Sequence, residues 1–373
     1  MANRLCLELH QVDIKGAYLN GVLNKDEVLY MQHPPGYKAA DAGVRVLHLV
    51  KTLYGLKQSG RCWYQKLTSI FDTLGLKQCQ VDQAVFFKSD KKAGDITVVA
   101  VHVDDCTIAA SSARLVEALK TGMRLHVEVT DLGELHWMLG IEVQRDRKAG
   151  TVHLSQRAYI DSILRRYHLD DLKPLSTPMD TQIRLSSEQS PKSTAEFTAM
   201  RDMPYREAVG ALNWAALSTR PNIAFAVSTV ARFAAEPRPV HWEAIKRIFR
   251  YLAGTRDLWL LYGETRRTLK GYVDADGSMA KDRRAIMGYA FLIDGGAVSW
   301  SSKRQEIVSL STTKSEYIAA THSMKEALWL RTLLSKVFRG FWDATTLFSD
   351  NQAAIALTCA RSISTCAIIG SNG

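Results

Sequence analysis

The chain has 373 residues, 46% of them hydrophobic and 23% charged, which is ordinary globular composition and excludes a disordered or fibrous chain. Its formal net charge of +10 and pI near 9.2 favour a polyanionic partner such as nucleic acid over a neutral one. The Lys and Arg residues are scattered rather than gathered into a basic tail; no apolar run is long enough to span a membrane, and residues 1–6 do not read as a signal peptide.

Taken in order, residues 5–13 alternate apolar and polar side chains as a strand does and end on Asp13. Gly16 and Gly21 follow and permit a tight turn or a close backbone approach. A domain that opens in mid-strand at residue 5 suggests that a preceding segment belongs to it. Pro34-Pro35-Gly36 excludes helix from residues 30–37. Residues 46–50 read as a short strand, and residues 53–67 open a helix with Trp63, Leu67, Ile70, Phe71 and Leu74 at helical spacing. Core packing is the default reading for Tyr54, Trp63 and Tyr64.

Two β-prone runs within residues 98–110 flank Asp104 and Asp105. They read as a hairpin with carboxylates at its tip. An Asp pair is an ordinary turn element; it is also a set of hard oxygen ligands of the kind that holds Mg²⁺ beside a phosphate. Residues 113–125 read as a helix, 135–144 and 151–154 as a hairpin, and 159–167 as a basic amphipathic helix. Residues 173–204, rich in Pro, Ser and Thr, read as a linker. Helices are predicted over 205–217, 223–235 and 240–252. The last part reads as strands over 269–274, 285–293 and 297–302, a helix over 312–338, a strand over 346–350 and a helix over 351–357, an α/β order. Acids fall at Asp274, Glu316 and Asp350, a second candidate carboxylate cluster. Of the six cysteines, at 6, 62, 79, 106, 359 and 366, none forms a C-x-x-C pair. That argues against a zinc or thioredoxin-type site and suits a reducing, intracellular compartment.

Four stretches together, QVDIKGAYLNG at 11–21, YMQHPPGY at 30–37, LYGLKQS at 53–59 and the Val103-Asp104-Asp105 hairpin, resemble the reverse transcriptase of copia-type LTR retrotransposons. GYVDAD at 271–276, VSWSSKRQ at 298–305, Ser315-Glu316-Tyr317 and FSDNQ at 348–352 resemble its ribonuclease H domain. The match runs in order from about residue 8 to 357. It implies an α+β chain: a reverse-transcriptase palm with its primer-grip region over 1–172, a linker over 173–204, a helical thumb or connection region over 205–265, an incomplete ribonuclease H-like α/β domain over 266–357, and an unmatched tail over 358–373.

The resemblance also implies roles. Asp13, Asp104 and Asp105 would hold two Mg²⁺ ions that activate a primer 3′-hydroxyl and stabilise the leaving pyrophosphate. Tyr18 would block a ribose 2′-hydroxyl, Gln58 would lie near the incoming nucleotide, and Trp137-Met138-Leu139-Gly140 would grip the primer. Asp274, Glu316 and Asp350 would bind two Mg²⁺ and activate water against the RNA of an RNA–DNA hybrid; Asp276 shares the strand face of Asp274 and stands beside them. The implied partners are an RNA template, a DNA primer, the RNA–DNA hybrid and deoxynucleoside triphosphates, in a cytoplasmic particle or the nucleus, with no membrane.

The sequence departs from the family pattern in several places. Fingers upstream of Asp13 are expected from the resemblance to be missing, His102 stands for a usual Tyr, Gly277 for a Trp and Lys314 for an acid. Residues 358–373 carry no fourth ribonuclease carboxylate. The expectation is a truncated polymerase with an impaired ribonuclease site. The alternative is a catalytically inert relic that still binds nucleic acid through phosphate contacts.

Overall fold

The structure is a computed structural model that describes residues 2–3, 5–24, 26–36, 46–90, 92–180, 182–183, 185–186, 198, 200–263, 268–276, 284–338, 344–359 and 366–369. The chain forms two compact units, Met1–Leu135 and His136–Gly373. Among the described residues, no helix is long and apolar enough to cross a membrane.

The first unit contains β1 (Glu8–Ile14), β2 (Tyr30–Gln32), β3 (Val46–His48), α1 (Ser59–Thr73), β4 (Lys77–Gln78), β5 (Val85–Ser89), β6 (Ile96–His102), β7 (Asp105–Ala110), α2 (Ala113–Arg124) and β8 (Val129–Glu134). Six of the strands make one antiparallel sheet in the order β4-β5-β6-β7-β1-β8; β2 and β3 pair separately. The period of two sorts the side chains by face. Val12 and Ile14 of β1 and Cys106, Ile108 and Ala110 of β7 are fully buried. They meet Trp63, Leu67, Ile70 and Phe71 of α1 and Val116, Leu119 and Met123 of α2 in one apolar cluster. The helices therefore cover one face, which leaves Gln11, Asp13, Asp105 and Thr107 on the other.

The helix expected from residue 53 starts only at Ser59, because Gly55 (φ +96°) turns the chain first. Its start is fixed by Ser59 Oγ, which donates to Leu53 O at 2.5 Å. The sheet's edge strand β8 was not expected. Its sequence VTDLGE carries two acids and a glycine in place of an apolar alternation, and it joins β1 across an irregularity between Gln11 and Val12. A buried ammonium anchors it: Lys120 Nζ, with a side chain 2% exposed, lies 2.7 Å from Asp131 Oδ1, 3.3 Å from Glu117 Oε1 and 2.9 Å from His10 Nδ1. Burial alone would raise the Asp131 carboxyl, but Lys120, the Gly133 N–H and Arg124 hold it below its ordinary value. Asp131→Asn should cost about 3 kcal/mol at neutral pH by leaving the ammonium underpaired. Because the folded carboxyl titrates below the unfolded one, this contribution is complete above the unfolded pKa. It is lost as pH falls through the folded value. Urea denaturation of parent and variant at pH 7 and at low pH should show the difference shrink.

The second unit contains β9 (Trp137–Met138), β10 (Ile141–Asp146), β11 (Thr151–Ser155), α3 (Arg157–Arg166), α4 (Tyr205–Ser218), α5 (Ala224–Ala231), α6 (Pro239–Gly254), β12 (Leu260–Tyr262), β13 (Lys270–Asp276), β14 (Ile286–Ile293), β15 (Gly296–Arg304), α7 (Thr312–Val337), β16 (Thr345–Phe348), α8 (Gln352–Cys359) and β17 (Cys366–Ile369). Residues 136–172, expected to close the first domain, lie in this unit. The physical reason is pairing: β11 is hydrogen-bonded to β12, and α3 shares one apolar cluster with α4, α5 and α6. β9 to β12 form an antiparallel sheet in the order β12-β11-β10-β9.

The start of the stretch expected to be a linker runs along α6. Arg250 Nε donates to Lys173 O at 2.7 Å, and Arg247 reaches Thr177 Oγ1 at 2.9 Å and Asp180 Oδ2 at 3.2 Å. Most of residues 187–199 lies outside the described residues.

β13 to β17 form a five-stranded sheet in the order β15-β14-β13-β16-β17, antiparallel on one side and parallel on the other. β17 falls within the tail expected to be unmatched; it pairs with β16 from Thr345↔Cys366 to Phe348↔Ile369. Gly271 in the central strand leaves no room for a side chain, since a Cβ there would meet Phe291 Cε1 at 2.4 Å and Leu347 Cδ1 at 2.8 Å. Gly271→Ala should destabilise this unit by about 1–3 kcal/mol, read as a lower melting temperature with the fold retained.

Candidate active sites

Two clusters of carboxylates stand at strand ends, one in each unit. In the first, β6 turns into β7 through Val103-Asp104, so Asp104 occupies the turn and Asp105 opens the next strand. Val103 has φ +60°. That conformation is an outlier for a β-branched residue, and such strain persists only where neighbours impose it. Two neighbours do so. Trp63 Nε1 donates to Val103 O at 2.7 Å, and Ile14 N donates to Asp104 O at 2.9 Å. The turn is thus clamped between α1 and the end of β1. In the β1–β7 register Asp13 faces Asp105 directly.

The three acids are half-buried. Burial first, then the charges of Asp104 and Asp105, raise the Asp13 carboxyl above its ordinary range. Gln11 Nε2 donates to Asp105 Oδ1 at 2.8 Å and fixes that carboxylate. Beneath them, burial and the same three acids push the Cys106 thiol up, so it stays protonated. An assembly of like charges held at one strand end fits a hard divalent cation.

Gly16, with φ +58°, breaks β1 and starts the short 3-10 turn Ala17–Asn20 that carries Tyr18. Gly21 then passes so close to Thr52 and the Trp63 backbone that a Cβ would meet them at 2.5 and 3.0 Å. The Tyr18 ring lies against Tyr54 at 4.9 Å. Tyr54 is 56% exposed, so it is not a core residue. Tyr18, Arg61, Trp63, Tyr64, Val101 and Val103 line a cavity of about 400 Å³ beside the turn. Gln58 sits at the N-terminal boundary of α1, apart from the residues that line this cavity. His102 is exposed at the end of β6.

In the second unit Asp274 lies on β13, Glu316 in the first turns of α7 and Asp350 just after β16. Their ligand atoms all lie within 4.8 Å of one another, and among the described residues this is the one group of three acids, His or Cys so close. The acids of the first unit are more widely spread. Asp274 and Asp350 are exposed, whereas Glu316 is 6% exposed. Burial, followed by the charges of Asp274 and Asp350, pushes the Glu316 carboxyl up to about 7 against a hydrogen bond from the Ala275 backbone. Glu316 Oε2 is buried with no hydrogen-bond partner. A divalent cation would satisfy an orphaned acceptor set between two further carboxylates, so the residues fit such an ion. Gln305, itself buried, donates through Nε2 to Ser315 O at 2.8 Å and so fixes the helix turn that carries Glu316. Asp276 is exposed on the same strand.

The supporting residues Gln11, Trp63 and Gln305 carry no motif of their own in the sequence. Gln11 lies two positions before Asp13, and strand periodicity alone places them on one face. Trp63 is buried, as core packing predicts, but its indole N–H also restrains the acidic turn.

Residues 2–181 match the family described as "Reverse transcriptase (RNA-dependent DNA polymerase)". Over 362 residues, 96% of its length, the chain is 39% identical to the "Retrovirus-related Pol polyprotein from transposon TNT 1-94" of Nicotiana tabacum, covering 27% of that protein. It is 35% identical over 358 residues, 95% of its length, to the corresponding polyprotein from transposon RE1 of Arabidopsis thaliana, covering 23% of it. A Ty5-1 transposon protein of Saccharomyces cerevisiae is 30% identical over 319 residues, 84% of the chain and 100% of that protein. The chain belongs to the reverse transcriptase family. Within it, these relatives set the chain among the copia-type retrotransposon Pol proteins, and it spans about a quarter of the length of the Pol polyproteins it matches.

Proposed function

We propose that the chain is a two-site enzyme of nucleic-acid synthesis and turnover: an RNA-directed DNA polymerase whose second unit carries a ribonuclease H-like hydrolytic site. The observation that carries this reading is the β1–β7 register, which sets Asp13 opposite Asp105 with Asp104 in the clamped turn beside them. The first unit then acts as the palm, and α3 to α6 as the thumb or connection region. Asp13, Asp104 and Asp105 would hold Mg²⁺ in the first site; Asp274, Glu316 and Asp350 would hold it in the second. When bound, the cations supply Lewis acidity and a clamp on the attacking and leaving oxygens of an in-line displacement.

The chain's own residues set the conditions. Gln11 orients Asp105, Trp63 fixes the height of the turn, and Tyr18 stands at the cavity where a deoxynucleoside triphosphate is to be selected. In the second site Gln305 fixes the Glu316 turn, and water attack falls on the RNA strand of an RNA–DNA hybrid. Among the described residues, three acids support that site.

Primer extension on an RNA template with Mg²⁺ and deoxynucleoside triphosphates tests the reading. Extension by the chain, lost in Asp104→Asn, is the expected result. No extension by the parent, with salt-sensitive binding of the hybrid, would instead establish an inert nucleic-acid-binding relic.

A further inference from the structure

The four-stranded sheet of the second unit has one buried and one open face. Ile141 and Val143 of β10 are buried. Their alternate neighbours point the other way, and the registers identify which residues share that side. Gln144, His153 and Leu261 stand opposite one another on β10, β11 and β12, and Trp137 stands opposite Glu142, which faces Ser155. Trp259, two residues before Leu261, sets its ring edge-on to His153 with centroids 4.8 Å apart. Trp259 immediately precedes β12, an edge strand of this sheet. Trp137 on β9 and Trp259 beside β12 thus stand at the two edges of the sheet, about 14 Å apart across four strands, and Ser155 at the end of β11 between them is buried.

These side chains are not packed away: Trp259 is 51% exposed, Leu261 46% and Trp137 45%. Two open tryptophans on one sheet face are an unusual expense of apolar surface in a basic chain. The two acids on this face are already engaged. Glu142 accepts from Gln144 Nε2 at 2.8 Å, and Asp146 Oδ1 accepts the Lys148 and Ala149 N–H groups at 2.8 and 2.9 Å. Lys148 is exposed at the β10–β11 tip, where a phosphate can approach.

We propose that this open face, centred on Trp259 and His153, is a stacking platform for an unpaired stretch of nucleic acid. Flat aromatic faces on an exposed sheet take single-stranded bases irrespective of sequence, because every base offers a π-face, while a paired duplex keeps its faces inside the stack. The proposal rests on the reading of the chain as a nucleic-acid enzyme, and it adds residues outside both acid clusters.

The test is equilibrium binding of a fluorescent single-stranded oligothymidylate to the full chain, followed by anisotropy, beside a blunt duplex of equal length. Trp259→Ala should weaken single-strand binding about tenfold, with Trp259→Phe retaining most of it and duplex affinity unchanged. Far-UV circular dichroism checks the fold; should Trp259→Ala disturb it, His153→Ala carries the same expectation in milder form. Single-strand affinity equal to the parent in both folded variants overturns the proposal, as does an equal loss on the duplex. Primer extension by the parent separates the two readings. Failure of extension in the parent, with Trp259-dependent binding retained, overturns the polymerase reading and leaves the platform standing.

Discussion

Asp104→Asn is expected to lower primer extension by roughly a thousandfold while the protein stays folded. Losing a carboxylate that holds a cation removes several kcal/mol of charge stabilisation, and each 1.36 kcal/mol or so is a factor of ten in rate. The fold should tolerate the change. Asp104 is half-buried in a turn whose backbone, not its carboxylate, is held by Ile14 N at Asp104 O and by Trp63 Nε1 at the neighbouring Val103 O. An amide there also lowers the mutual repulsion with Asp13. Single-turnover extension on an RNA template, compared with the thermal melt of both proteins, checks the split. A melt that collapses along with activity would mean that the carboxylate holds the hairpin together.

The second large effect concerns Glu316 and runs in the opposite sense on stability. Its carboxyl titrates at about 7 in the fold against 4.5 in its ordinary state. Between those values the unfolded chain has lost a proton that the folded chain keeps. Stability from this group is therefore present at low pH and falls as pH rises towards 7. The cost at higher pH amounts to about 3 kcal/mol without a cation. Glu316→Gln removes the ionisation, so without divalent ions the variant should exceed the parent in melting temperature at pH 8 and converge with it near pH 4. Adding Mg²⁺ should raise the parent's melting temperature, since a ligand of the folded state alone stabilises it, and leave the variant nearly unmoved. Any hybrid cleavage by the parent should vanish in the variant. Equal pH profiles for the two proteins would show that Glu316 ionises normally.

Much of this architecture could be read from residue order. The Val, Ile and Thr runs around Asp104 announce β6 and β7, and the helical spacing of Trp63, Leu67, Ile70 and Phe71 announces α1. The acids of the second unit fall on a strand, a helix start and a strand end, as the alternation of patterns there suggests. What escaped the reading is of a different physical kind. β8 is made by its partner: its acids would break an isolated strand, and Lys120 satisfies one of them only after the chain has folded. β17 has four residues, too few for a period to declare itself. The polar stretch after residue 173 looks like a linker because its anchors, Arg247 and Arg250, lie some seventy residues away. The turn sits one residue earlier than the Asp-Asp pair suggests, since Asp105 belongs to the strand and Val103 takes the left-handed position that a glycine would be expected to fill.

The five-stranded sheet and the helical layer beside it are stitched together. Trp300 Nε1 donates to Ala216 O at 2.8 Å, joining β15 to the last turns of α4, and Tyr262 OH donates to Ala297 O at 2.6 Å, joining β12 to the same strand. Excising residues 266–357 as a minimal ribonuclease would cut both ties and bare the Trp300 ring and indole. The smallest stable piece for biochemical work therefore begins upstream of α4 and keeps the helices with the sheet.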